Sequence, residues 1–160
     1  MTLVRLTTRR NAAKGHLMGV FTDNEVDYLA SQRLARLATA SASGQPDVSA
    51  VGFGLEDDTI VSGGLDITKT VRYRHLSENP RATVVIDDLA SIDPWQPRGV
   101  KVRGPAVLEE HGGSMRIRIT PEVIWSWGLN PDTEKRFASI ERRDVRSPAE
   151  AVRLPGRQIA

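Results

Sequence analysis

The chain has 160 residues, 39% of them hydrophobic and 26% charged, with 22 basic against 20 acidic side chains. That length suits one domain with a substantial core, and the near balance of charge argues against a general nucleic-acid binder, which carries a clear basic excess. The lack of cysteine excludes disulfides, thiol chemistry and cysteine-ligated metals, no apolar run approaches the ~20 residues of a membrane span, and the cytoplasm is the default location.

Residues 1–17 hold Arg5, Arg9, Arg10 and Lys14 and no acid. No apolar stretch follows them as it would in a secretory signal. The segment reads as a flexible basic arm, or as extra sequence ahead of a start at Met18. "FTDNEVDYLASQ" predicts a helix, with Thr22 and Glu25 at capping-box spacing and Val26, Leu29 and Ala30 at helical intervals. "RLARLATAS" alternates as a strand, and Ser43-Gly44 centres a turn. "VSAVGFGL" and "TIVSGG" read as the next two strands, joined by the acidic turn Glu56-Asp57-Asp58, so the three predict an antiparallel meander.

Thr68 to Asn79 reads as a short helix stopped by Pro80, and "RATVVIDD" as a β-branched strand. "SIDPWQPR" reads as a loop, "GVKVRGPAVLEE" as a strand broken or bulged near Gly104-Pro105, and "SMRIRIT" as a strand with one wet face. "PEVIWSWGLN" is expected to form a helical turn after Pro121 and then an irregular hook. From Pro131 the pattern decays into mixed charge, with helix expected around Glu134 to Arg143 and a mobile end. The predicted organisation is an arm at 1–17, a folded domain at 18–130 and a charged extension at 131–160. About six strands with two helices predict a mainly β fold closing as a small barrel.

Lys69, Arg72, Arg74 and His75 crowd together with no acid among them. On a helix Lys69 and Arg72, three apart, project from one side, and Thr70 and Arg74, four apart, from an adjacent one. The start of that helix would face the end of "TIVSGG", where Ser62, Gly63 and Gly64 offer a hydroxyl and open backbone. Free N–H groups, a positive helix end and several cations make a phosphate site. The same residues also suit an ordinary solvated basic face. His16, His75 and His111 are scattered and predict no metal site. No triad or carboxylate pair stands out, so no catalytic residue is assigned. Trp95, Trp125 and Trp127 read either as core and interface fillers or, for Trp95 and Trp127, as walls of a cofactor pocket, with Arg98 beside Trp95 able to meet an anion.

"TKTVRYRHLSENPRATVVIDD" is similar to the flavin phosphate-binding segment of the pyridoxamine 5′-phosphate oxidase-like split β-barrel family, with Thr70, Arg72 and Asn79-Pro80-Arg81 in the family's order. "GVFTDNEVDYLASQRLARLATAS", "PWQPRGVKVRGPA" and "IRITPEVIWSWGL" resemble one branch of it, the deazaflavin (coenzyme F-420)-dependent oxidoreductases typical of actinobacteria. The resemblance covers about residues 18–130. It implies a six-stranded antiparallel split barrel of the FMN-binding type. It also implies a homodimer with the cofactor in a groove between two barrels, and hydride transfer between the cofactor's C5 and an unsaturated small molecule. By position, it implies that Thr70 and Arg72 hold the phosphate with Lys69 and Arg74 near. Ser49 and Val51 would border the ring system, and Ser62 and Gly63 would lie under the phosphate-bearing chain. The stretch Ser126 to Leu129, with Trp127, would approach a groove, that of its own or of the partner subunit.

Val71 stands where the flavin oxidases of this family often have an arginine, which counts against pyridoxamine 5′-phosphate oxidation itself. The alternatives are an FMN-dependent oxidoreductase of the same fold and a non-catalytic carrier of a deazaflavin or haem-type ligand. A nucleic-acid binder using the basic arm ranks last. In the enzyme readings the cofactor carries the difficult chemistry, so a missing acid–base motif is expected.

Overall fold

The structure, a computed structural model, describes residues 19–130 and 140–145. Helix α1 (Asp23–Ser31) precedes strands β1 (Leu34–Ala40), β2 (Pro46–Gly52), β3 (Gly54–Glu56) and β4 (Thr59–Ser62). A 3-10 turn (Ile67–Lys69) and helix α2 (Val71–Glu78) lead into β5 (Arg81–Ser91), β6 (Gln96–His111), β7 (Ser114–Ile119), β8 (Val123–Trp127) and β9 (Glu141–Asp144). The predicted arm at 1–17 lies outside the described residues, as does most of the predicted extension.

All strand pairs are antiparallel, in the order β2-β1-β5-β6-β7-β4-β3, with β8 on β6 and β9 on β8. The two ends of that order, β2 and β3, are consecutive in the chain with Phe53 alone between them. The sheet therefore closes through one bent strand. Counting β2–β3 as that single strand leaves six in the ring, with β8 and β9 added outside it, which is a split β-barrel. The expected meander is present, with its middle strand bent: that run pairs antiparallel with β1 through β2 and with β4 through β3.

Strand β6 joins the two halves. Its first part pairs with β5, from Ser91↔Gln96 to Arg81↔Pro105, and its last part with β7, from Ala106↔Ile119 to His111↔Ser114. On the β7 side, β8 takes over between Arg103↔Val123 and Gly99↔Trp127. From Ala106 to Arg103 the strand advances three residues while its partner, from Ile119 to Val123, advances four, so one extra residue bulges out there. Gly104 sits opposite the bulge, where a Cβ would collide with the Thr120 carbonyl oxygen. The predicted break at Gly104-Pro105 is thus a change of partners within an unbroken strand.

Inside the ring, alternate residues pack a dry core that includes Leu37, Ile60, Val84, Ile86, Val100, Val102, Ile117 and Ile119. Phe21, Tyr28 and Leu29 bring α1 onto it, and Leu76 does the same for α2. His75 is buried beside Thr39, its Nδ1 3.1 Å from the hydroxyl. No described helix is long and apolar enough to cross a membrane.

Two further expectations change. The stretch after Pro121 is strand β8, not a helical turn, because Ile124 and Ser126 point inward while Val123, Trp125 and Trp127 lie on the other side of a ladder with β6. Residues 141–144 form strand β9 where helix was expected; residues 134–139 of that expected helix lie outside the described residues. What holds β9 is a long-range ion pair invisible to local periodicity. Thr22 and Glu25 form the predicted capping box, with N–H to oxygen distances of 3.3 and 2.9 Å. The Glu25 side chain is only 2% exposed, and Arg143 of β9 meets it at 2.7 Å and also donates to the Val20 carbonyl at 2.8 Å.

Removing one partner of such a pair strands the other charge. Arg143→Ala is expected to lower stability by about 3 kcal/mol in urea unfolding, the low end for a buried pair because the arginine is partly exposed. A loss under ~0.5 kcal/mol would mean that water solvates Glu25 without Arg143.

Candidate functional site

The chain leaving β4 passes Gly63-Gly64-Leu65 and then makes two short caps in series. Asp66 accepts the Thr68 N–H at 3.1 Å and holds the Lys69 ammonium at 3.2 Å. Hydrogen bonds from Thr68 and then Lys69 lower the Asp66 carboxyl below the usual carboxylate range. Thr70 takes an extended conformation (φ −94°, ψ 157°), donates its hydroxyl to the Ile67 carbonyl at 2.6 Å and accepts the Tyr73 N–H at 3.3 Å, capping α2. These caps split the single helix that the spacing predicts. A threonine hydroxyl that bonds nearby backbone offers the chain an alternative to continued helix. Lys69 therefore does not share a helix face with Arg72. Its side chain is 86% exposed and already paired.

Arg72, on the first turn of α2, folds back toward the end of β4. Its Nη2 lies 3.8 Å from where a Cβ on Gly64 would stand. Its Nε is buried and has no hydrogen-bond partner, and no acid pairs with it among the described residues. A buried guanidinium N–H without an acceptor costs roughly 1–3 kcal/mol, and such groups are rare in native proteins. The same side chain that holds this donor reaches the glycine wall through its Nη2.

Beside this corner lies a groove of about 530 Å³ between the β2–β3 bend (52–54), the end of β4 (61–64) and the β6–β7 hairpin at His111 and 114–116. Ser62 donates its hydroxyl to the Gly52 carbonyl at 2.8 Å, which ties the end of β4 to the bend. A Cβ on Gly63 would meet nothing nearer than the Arg116 Cβ at 3.9 Å, so the wall is open to close approach. Phe53 and Met115 make the groove largely apolar.

The hairpin wall is stiffened by charge. Arg116 bonds Glu109 at 2.7 Å and Glu56 at 3.1 Å; Arg118 bonds Glu109 at 3.0 Å, Glu56 at 3.2 Å and the Thr59 hydroxyl at 2.6 Å. These bonds, from Arg118 first and then Arg116, hold both carboxyls below their ordinary 4.5.

The predicted residues thus divide. Ser62 and Gly63 line the groove, Arg72 reaches Gly64 next to them, Thr70 caps the helix that carries Arg72, and Lys69 is paired with Asp66. Arg74 is exposed on α2. Ser49 sits on β2 with its hydroxyl 3.3 Å from Asp47. Val51 buries its side chain in the core and adjoins the groove only through its neighbour Gly52. Trp127 lies over Gly99, on the far half of β6 from Leu108, whose register runs through Ile117 to Ser62. At ~3.3 Å per residue that is roughly 30 Å along the strand, so Trp127 does not reach the groove of its own chain. Trp125 is on the outer face beneath Lys101 at 4.0 Å, and Trp95 is exposed. Arg98 is committed to Asp88, at 2.7 and 2.9 Å. Burial and Asp88 push the Tyr28 phenol beside it upward. Sequence reasoning did not find Phe53, His111, Ser114, Met115 or Arg116, which reach the groove only through barrel closure. Among the described residues no group of three or more His, Asp or Glu could hold a metal.

The profile of the pyridoxamine 5′-phosphate oxidase family matches residues 21–128, from just before α1 to just past β8. The chain belongs to this family. It is 33% identical over 135 residues to a 5a,11a-dehydrotetracycline/5a,11a-dehydrooxytetracycline reductase of Streptomyces rimosus, a match covering 78% of this chain and 93% of the relative. Two solved structures share the fold. A conserved hypothetical protein of Mycobacterium tuberculosis superposes with a TM-score of 0.57 at 22% identity, over 69% of this chain and 86% of its own. A haem-binding protein of Mycobacterium smegmatis superposes with 0.61 at 18%, over 76% and 57%.

Because the Glu56 and Glu109 values are depressed, their contribution to the fold is present above the ordinary carboxylate range and lost as pH falls through the lowered values. Acidification below about pH 4.5 is expected to release hydrogen-exchange protection in β3 and β4 before β5. Simultaneous loss in all three strands would show that the network does not anchor that hairpin.

Proposed function

We propose that the protein is a cytoplasmic oxidoreductase that uses a deazaflavin, coenzyme F-420, to transfer a hydride to or from an unsaturated small molecule. The observation that carries this reading is the buried, unpartnered Nε of Arg72, a side chain whose Nη2 lies beside Gly64. A phosphate would supply the missing acceptor, and a charge-assisted bond there is among the stronger kinds. Thr70 fixes the start of α2, whose first N–H groups have no acceptor within the helix and face toward an anion favourably.

When bound, the deazaflavin supplies the hydride chemistry at C5. The chain's task is to bind, orient and keep water out. Arg72 holds the phosphate end, the glycines allow close approach, and Phe53 and Met115 cover the groove with apolar surface. No side chain is assigned as proton donor, and solvent serves that role. The 33% identity to a dehydrotetracycline reductase supports both reduction and an unsaturated substrate. An FMN-dependent oxidoreductase is the second reading, supported by the family match. Carriage of a haem-type ligand is a third, favoured by His111 in the groove wall and by the haem-binding protein of the same fold.

The reading includes a homodimer with the groove completed by a second copy. Leu34, Val48, Leu89 and Ile92 are exposed large apolar groups on β1, β2 and the β5–β6 hairpin, and their burial against a second copy would offset the cost of association. Trp127 would then reach the partner's groove. Sedimentation velocity is expected to give twice the chain mass, and Leu34→Glu with Val48→Glu to shift it toward one; a wild-type monomer at micromolar concentration would exclude the shared groove.

For the cofactor, Arg72→Ala is expected to weaken F-420 binding tenfold or more, corresponding to ~1.5–3 kcal/mol, in a fluorescence titration with an unchanged thermal melt. Equal affinity in the folded variant would refute the assignment. Preference of the wild-type protein for FMN over F-420 would select the flavin reading.

A further inference from the structure

The outer edge of β8 is closed by a strand that is held at few points. Four register pairs, from Val123↔Asp144 to Ser126↔Glu141, seat β9 on β8, and the Val145 N–H extends the ladder to the Glu122 carbonyl at 2.8 Å. Glu141, Arg142 and Asp144 are exposed, so only Arg143 and, just past the strand, Val145 turn toward the body. For Arg143 the body offers the Glu25 carboxylate, 2% exposed, at 2.7 Å and the Val20 carbonyl at 2.8 Å. With no strand seated, Glu25 would be a buried charge without its cation, and the backbone of 122–126 would be a bare edge. The body therefore presents a strand-acceptor edge with an arginine socket, and the sequence that fits it is the chain's own.

None of these contacts requires the strand to come from the same molecule. β8 ends at Trp127 and β9 starts at Glu141, with the 13 residues 128–140 between them. An antiparallel turn needs only about 2–5 residues. Thirteen can span roughly 40 Å when extended, against about 5 Å between neighbouring strands. A second copy carries the same strand and the same socket, so exchange keeps every ladder bond and the ion pair, and it closes symmetrically. A short edge strand with exposed side chains is also among the elements that detach at the lowest free energy. We infer that the segment 141–145 is exchanged between two copies of this chain, each placing its Arg143 beside Glu25 of the partner subunit. The exchange is independent of which ligand the groove holds.

The chain has no cysteine, so one introduced pair reports one contact. Ser126 and Glu141 are opposite each other in the ladder, and Cα atoms so placed, about 4.5–5.5 Å apart, are within disulfide reach. Full-length Ser126→Cys and Glu141→Cys chains with tags of different length are unfolded in urea, refolded together and treated with oxidised glutathione. Exchange is expected to give a two-chain product that joins position 126 of one variant to position 141 of the other, identified by peptide mass. Adding Arg143→Ala to the Glu141→Cys chain is expected to cut that product about tenfold or more. The double variant Ser126→Cys/Glu141→Cys, treated alone, is expected to run as a linked dimer. Closure of the double variant within its own chain, with no product joining the unlike single variants, overturns the exchange. A product that forms equally well with Arg143→Ala overturns the arginine socket. Absence of any disulfide in both experiments overturns the seating of β9 on β8, and the exchange with it.

Discussion

Strand β6 can serve both halves of the barrel only because Gly104 has no side chain. At that point the partner strand carries one extra residue, and the Thr120 carbonyl presses against the β6 backbone where any Cβ would stand. Everything beyond the close contact follows from it. β7 continues along one half of the ring and β8 along the other. The hairpin that ends β6 is thereby aimed at the β2–β3 bend, and the gap between hairpin and bend becomes the groove. A bulge that turns a strand is a common device at barrel corners, and here it places His111 and Arg116 opposite Gly52 and Gly63.

What was legible in the sequence was what is encoded within a few residues. The Thr22–Glu25 capping box announced α1, and the β-branched run at Val84 to Ile86 announced β5. The nearness of Arg72 to Gly64 could be read because both lie between the end of β4 and the first turn of α2. The misreadings have a common physical origin. Lys69 was placed on a helix with Arg72 because spacing is blind to a hydroxyl that caps locally, as Thr70 does. The β8 and β9 strands were missed because their stability comes from partners far away in the chain: Gly99 to Arg103 for β8, and buried Glu25 for β9. Trp127 and Val51 carried no local sign of which face they would occupy.

The site combines a rigid part and an incomplete part. The Arg116–Arg118–Glu56–Glu109 network saturates nearly all of its charged groups and holds the hairpin. On the other side of the Gly63-Gly64 wall, Arg72 has a buried donor without a partner among the described residues. A fold that satisfies the first set so fully has no general shortage of acceptors, so the orphaned donor is a local and specific feature. This contrast makes a ligand-binding role more economical than a packing defect as the account of Arg72.

The closure of the ring has a consequence for a chain emerging from the ribosome. Strand β4 finds its second ladder partner in β7, where Ile119 pairs with Ile60. The free edge of β4 must therefore wait until β7 has been made. Such long-range closure is slow and leaves nascent strand edges open to wrong partners. The short β3–β4 pair limits this hazard: three paired positions offer little edge for another chain to join.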